Sequence, residues 1–194
     1  MHYLDTYLQG LTAALGGIDR AAFDALVEAI KRTHAADGIL YTCGNGGSAA
    51  TASHMINDLV KAPADASGCR PLRAVGLSDC IPLMTALAND IEYAEMFSRQ
   101  LTAMGRQGDL LIAISGSGNS PNVLRAAEEA RRIGMTVVAM TGYSGGKLAE
   151  RADIHLHVPC NCMAQVEDAH LILNHALIEV LKVAFGGKSP AFHE

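Results

Sequence analysis

The apolar positions along the chain change period several times, and each change marks an element. Over roughly the first 35 residues, Ala21, Ala22, Leu26, Ala29 and Ile30 recur at spacings of three and four. That is the stripe of an amphipathic helix, and Asp19 is placed to cap its start. After Asp37-Gly38 the pattern becomes a short β-favouring run, Ile39-Leu40-Tyr41-Thr42, which ends in Gly44-Asn45-Gly46-Gly47-Ser48. The spacing predicts a helix over 49–61, stopped near Pro63, because a proline inside a helix removes a hydrogen bond and crowds the preceding turn. Residues 63–70 read as a loop, 72–77 as a strand, and 82–88 and 94–104 as helices around Asn89-Asp90.

The clearest unit comes next. Residues 109–114 open on Asp109 and continue as an unbroken apolar run, Leu110 to Ile114, with no alternation, so both faces of that strand are expected to be buried, as in a parallel sheet. It runs into Ser115-Gly116-Ser117-Gly118-Asn119-Ser120 and an amphipathic helix over 121–133, closed by Gly134. A second buried strand is expected over 135–140, a last one over 153–158 and a long helix over 163–185. On the last strand His155 and His157 alternate with apolar residues, which predicts an edge position with both imidazoles facing solvent. Strand, Gly/Ser loop and helix in repetition predict an α/β fold: a doubly wound, parallel five-stranded sheet flanked by helices. The expected divisions are N-terminal helices over 1–36, a sheet domain over 37–186 and a tail over 187–194.

Composition narrows the function classes. The 194 residues are 49% hydrophobic and 18% charged, which suits a chain that folds around a core. A net charge of −5 argues against a nucleic-acid partner, which requires excess cations for phosphates. No stretch approaches the roughly 20 apolar residues of a membrane span, so no membrane partner is expected either. The five cysteines, an odd number, read as reduced thiols of a cytoplasmic protein. Cys160 and Cys162 carry the weak signal of a metal or redox pair.

Two loops share one grammar, and it is that of a phosphate cradle. Asn45, Gly46, Gly47 and Ser48 follow one strand, Ser115, Gly116, Ser117 and Ser120 another, and each loop opens a helix. A helix start offers unpaired N–H groups and partial positive charge, glycine lets the backbone approach closely, and serine hydroxyls add donors. Neither loop matches the dinucleotide or P-loop nucleotide patterns.

A second set of residues has the spacing of metal ligands. His54 and Asp58 stand four apart on the helix leaving the first loop, hence on one face. On the last helix Glu167 and His175 are eight apart, about 80° around the axis, Asp168 and His175 are seven apart, and His170 is a further candidate. Histidine and carboxylate together suit zinc or another borderline divalent ion.

These residues carry a resemblance. GNGGS entering a helix, the downstream His54, Asn89-Asp90, the Ser115–Ser120 loop, Thr141–Lys147 and the His-bearing last helix resemble the sugar isomerase (SIS) domain family, within it the phosphoheptose isomerases. The resemblance covers nearly the whole chain. It implies a homotetramer with active sites at subunit interfaces and interconversion of ketose and aldose phosphates, sedoheptulose 7-phosphate to D-glycero-D-manno-heptose 7-phosphate. It implies zinc held by His54, Asp58, Glu167 and His175, with Asp58 as base, His175 as acid and Asp90 contacting the sugar. Such a reaction passes through an enediol and requires an acid and a base poised near neutrality.

The chain also departs from the pattern. The family carries Glu where Asp58 stands, Gln where Glu167 stands, an acid at Ala164 and an Arg at Ala62, with Lys61 beside it. Phosphate and proton-transfer groups are kept while sugar contacts differ, which leaves the sugar open. The alternative is a non-catalytic SIS protein that binds a phosphosugar or a replication-initiator partner. A regulatory SIS module is a further alternative, but such proteins carry a DNA-binding domain that about 35 helical residues do not supply.

Overall fold

The structure, a computed structural model, describes residues 2–188. Helices α1 (Tyr3–Gly16) and α2 (Arg20–Ala35) precede the sheet. Then come β1 (Ile39–Cys43), α3 (Gly47–Ser67), β2 (Arg73–Gly76), α4 (Ile81–Asp90), a 3₁₀ turn (Tyr93–Glu95) and α5 (Ser98–Met104). The chain closes with β3 (Leu110–Ser115), α6 (Pro121–Ile133), β4 (Thr136–Thr141), α7 (Gly146–Ala149), β5 (Ile154–His157) and α8 (Met163–Ala184). The expected tail lies, from residue 189 onward, outside the described residues.

All strand pairs are parallel and the order is β2-β1-β3-β4-β5. The doubly wound five-stranded sheet expected from the apolar runs is therefore present. Side chains alternate across it: Leu110, Ile112 and Ile114 of β3 enter a core with α2, α3 and α8 residues, while Leu111 and Ala113 enter another with residues of α5 and α6. β3 is buried at every position, as an unalternating run at the centre of a two-faced sheet must be. Truncating Ile112 to alanine would cost roughly 2–5 kcal/mol.

The direction of winding reverses between β1 and β3. In open α/β sheets a crevice opens at that point, beyond the carboxyl ends of the two strands. The loops that leave β1 and β3 are the two Gly/Ser loops, so topology alone brings them together.

The helix expected to stop at Pro63 does not. α3 runs on to Ser67 and ends on Gly68 in the left-handed conformation, φ 72°. Pro63 is buried inside it, and the alanine-rich segment 62–66 has enough helix propensity to continue past the missing N–H. The segment read as loop over 63–70 is thus helical over most of its length. Helix 94–104 is split into the 3₁₀ turn and α5, and strands β3 and β4 each begin one residue later than expected. Helix α6 matches its expected bounds, and Gly134 closes it with φ 89°.

His155 and His157 correct another expectation. β5 is an edge strand, but both imidazoles turn inward onto Thr141. His155 Nε2 lies 2.7 Å and His157 Nδ1 3.1 Å from the Thr141 hydroxyl, and partial burial lowers the pKa of both rings. An edge strand is free along its hydrogen-bonding side, while its faces remain covered by neighbouring elements.

Candidate active site: a phosphate cleft and a His–Asp–His cluster

The two loops line one cleft of about 250 Å³ at the switch point. Asn45, Gly46, Gly47 and Ser48 form one wall, and Ser115, Gly116, Ser117 and Ser120 the other. Neither α3 nor α6 has a side-chain cap at its N-terminus. The first main-chain bond of α3 is donated by the Ala49 N–H, so the amides of Gly47 and Ser48 stand ahead of it at the cleft. Orphan amides of this kind, with the helix dipole behind them, favour an anion. The Ser115 and Ser120 hydroxyls lie 3.2 Å apart and can both turn toward an occupant.

Two close approaches require glycine. A Cβ on Gly47 would overlap the Glu167 carboxylate, and one on Gly118, where φ is +65°, would overlap the Gly145 carbonyl. The second contact docks the 142–146 turn against the loop. Lys147 follows that turn with its N–H donated to Asn119 Oδ1, and its side chain is exposed rather than in the cleft.

A buried amide ties the two walls together. Asn122 of α6 is fully buried and exchanges two hydrogen bonds with Asn45, at 2.9 and 2.8 Å, while the Tyr93 hydroxyl donates to Asn45 Oδ1 at 3.0 Å. Asn122 and Tyr93 escaped the reading of the sequence. The available signal was a polar residue inside the buried stripe Val123, Ala126, Ala127 of an otherwise regular amphipathic helix.

Further along α3 a second centre forms. His54, Asp58 and His175 of α8 present ligand atoms that all lie within 4.8 Å of one another. His54 Nε2 is 3.3 Å from Asp58 Oδ2 and 3.3 Å from His175 Nε2. Ligands at about 2.0–2.1 Å around a tetrahedral zinc ion stand roughly 3.3 Å apart, so two imidazoles and a carboxylate at this spacing fit such an ion. Two amides hold the carboxylate: Asn57 Nδ2 donates to Oδ1 at 3.0 Å and Asn174 Nδ2 to Oδ2 at 2.9 Å.

The remaining candidates lie elsewhere in the chain. Glu167 does not join the three-residue cluster; its carboxylate sits against Gly47 and lines the Gly/Ser cleft. Asp168 accepts the Tyr7 hydroxyl at 2.6 Å, a bond that pushes the Tyr7 pKa up to about 12. His170 is buried on Thr141, its Nε2 3.3 Å from the carbonyl, and burial pulls its pKa down to about 4. That places it in the core and away from the metal-type cluster. Asp90 is exposed at the end of α4, bonded to Asn89 and outside the cleft lining.

Comparison with known proteins decides the family. The SIS domain model matches residues 2–142. The chain belongs to the SIS domain family. It is 38% identical over 168 residues to the phosphoheptose isomerase of Leptospira biflexa, covering 86% of this chain and 84% of the relative. Among solved structures it is similar to phosphoheptose isomerase from Neisseria gonorrhoeae, with a TM-score of 0.84 at 33% identity over 93% of this chain and 97% of that one. The Francisella tularensis phosphoheptose isomerase gives a TM-score of 0.87 at 30% identity, covering 94% of this chain and all of that one. The SIS relationship read from the loops and the last helix is thus established.

Proposed function

We propose that this protein interconverts sedoheptulose 7-phosphate and D-glycero-D-manno-heptose 7-phosphate through an enediol, with a divalent metal, zinc, at His54, Asp58 and His175. The isomerase reaction class is supported by likeness to phosphoheptose isomerases at 38% identity over 86% of this chain, and the finer statements are the proposal. One observation carries it: a single helix, α3, opens on the anion-binding cleft and bears, two and three turns later, the His–Asp half of a metal-type cluster.

The chain's own residues divide the work. The loops hold the phosphate with main-chain amides and serine hydroxyls. Asp58 takes the proton from C1 of the ketose, and the electron pair shifts into the enediolate. His175 supplies and accepts protons at the sugar oxygens while a proton returns to C2, giving the aldose. A bound metal would polarise the carbonyl and hydroxyl oxygens and stabilise the enediolate.

Geometry favours a site shared between copies of the chain. His54 and Asp58 lie seven and eleven residues beyond Gly47, about 10 and 16 Å along the helix. A phosphate would sit on the other side of Gly47, and the reacting carbons of a seven-carbon sugar reach only roughly 9 Å from it at ordinary bond lengths. This separation of backbone positions along α3 supports pairing one chain's cleft with another chain's cluster. In a homotetramer with interfacial sites, the cleft of one subunit faces the cluster of another. Glu167, beside the cleft, then becomes the fourth ligand to the neighbour's cluster. Exposed apolar residues on α1 (Tyr3, Leu4, Leu8) and on α8 (Ile172, Val180, Val183) are consistent with such association.

The departures at Asp58 and Ala164 make the sugar the point to test. A panel of C5–C7 ketose phosphates, assayed for aldose phosphate with and without chelator, should show turnover of the C7 substrate that chelation abolishes. Turnover that chelator leaves intact would sink the metal role, and a preference for a shorter sugar would replace the substrate. In this reading the protein works in the cytoplasm, consistent with five cysteines that are all unbridged.

A further inference from the structure

We propose that Asn174, which lies outside the ligand and acid–base set, is a positioning residue that holds the Asp58 carboxylate for metal binding and proton transfer. The role rests on the isomerase reading above and deepens it.

Asn174 occupies the buried face of α8 among Leu173, Leu177, Ile178 and Leu181, all core residues. It is itself fully buried. An aliphatic side chain would suit that face better, because half of the amide finds no use there: Oδ1 is buried and has no hydrogen-bond partner among the described residues. A buried acceptor left unmet is a standing cost to the fold. What the residue does provide is one side-chain hydrogen bond, from Nδ2 to Asp58 Oδ2 at 2.9 Å. The amide must point this way round, since Oδ1 turned toward an ionised carboxylate would set acceptor against acceptor. A polar group kept at the expense of stability, with its single bond aimed at a candidate catalytic side chain, is the pattern of a functional residue.

The bond also has a definite mechanical effect. Asn57 anchors Asp58 Oδ1 from the same helix, and Asn174 anchors Oδ2 from the opposite one. With both oxygens held, the carboxylate plane is fixed, and Oδ2 stays 3.3 Å from His54 Nε2. Without Asn174 the carboxylate is held only by Asn57 through Oδ1, and Oδ2 can swing away from His54 and His175. Outer partners that orient a ligating carboxylate typically matter 10–100-fold for metal affinity or activity.

The test uses the full-length protein and two variants, Asn174→Leu, which fills the site with an apolar group, and Asn174→Ala, which should fold if leucine does not. Zinc affinity is measured without substrate by competition against a chelating dye, alongside thermal unfolding and steady-state kinetics on sedoheptulose 7-phosphate. We expect the zinc dissociation constant to rise about 10–100-fold. kcat should fall by a similar factor with KM within about twofold, and the leucine variant should unfold no lower than the wild type. Wild-type zinc affinity in a folded variant overturns the role of Asn174 and leaves the isomerase reading standing. So does a loss of affinity that only tracks a loss of stability. A wild-type chain that binds no zinc overturns the metal reading and this inference with it.

Discussion

The two ends of the candidate site are built from different materials. The cleft is made mostly of backbone: orphan amides at the start of α3, glycines that admit close approach, and serines that add to donors already present. The His–Asp–His cluster is made of side chains from two helices, with both Asp58 oxygens held by specific neighbours, Asn57 and Asn174. A backbone site is redundant, because deleting one side chain leaves its amides in place. A side-chain site is not. The same helix therefore carries a robust end and a fragile end.

This contrast sets the order of expected effects. Asp58→Asn should lower kcat about 10²–10⁴-fold while circular dichroism and unfolding temperature stay near wild type. Retained turnover would remove Asp58 as the base.

The next largest effect lies in the core between the two ends. His170 has its pKa lowered to about 4 by burial, from an ordinary 6.5. Its folded-state preference for the neutral form gives stability that is complete above pH 6.5 and is lost as pH falls toward 4. The loss should be on the order of 3 kcal/mol in urea titrations, with His155 and His157 shifted in the same direction. His170→Leu should flatten the acid side of the stability profile; an unchanged profile would show that another group controls it.

The smallest effect should come from the backbone end. Ser120→Ala removes one hydroxyl but no amide, and should raise KM only a few-fold, about the value of one neutral hydrogen bond, with kcat nearly unchanged. A loss as large as that of Asp58→Asn would erase the distinction between the two ends.

What could be read from the sequence follows the same division. The cleft was legible because each wall is a contiguous segment between an apolar strand and a helix, and the switch-point rule places such segments together. His54 and Asp58 were legible because helical spacing puts them on one face. Joining them to His175 required the packing of α3 on α8, which periodicity does not give; the family resemblance supplied that step. Glu167 shows the limit. Its angular position on α8 is compatible with His175, yet eight residues of rise separate them, and it ends at Gly47. Asn122 and Asn174 went unread because a buried amide looks like any polar residue until its partner is known. The histidines of β5 went unread because alternation tells which residues share a face, not what covers it.

The proposed shared site requires that one chain's Gly/Ser loops serve another chain's proton-transfer group. The direct measurement is activity of a mixed assembly. One chain carries Asp58→Asn, the other Ser117→Asp, which places a carboxylate in the phosphate cleft. Each variant alone should be nearly inactive. Co-expressed and purified as a hybrid, they should regain a substantial fraction of wild-type turnover, because some interfaces pair an intact cleft with an intact Asp58. A hybrid no more active than its inactive parents, with mixing verified by mass spectrometry, would contradict the shared site.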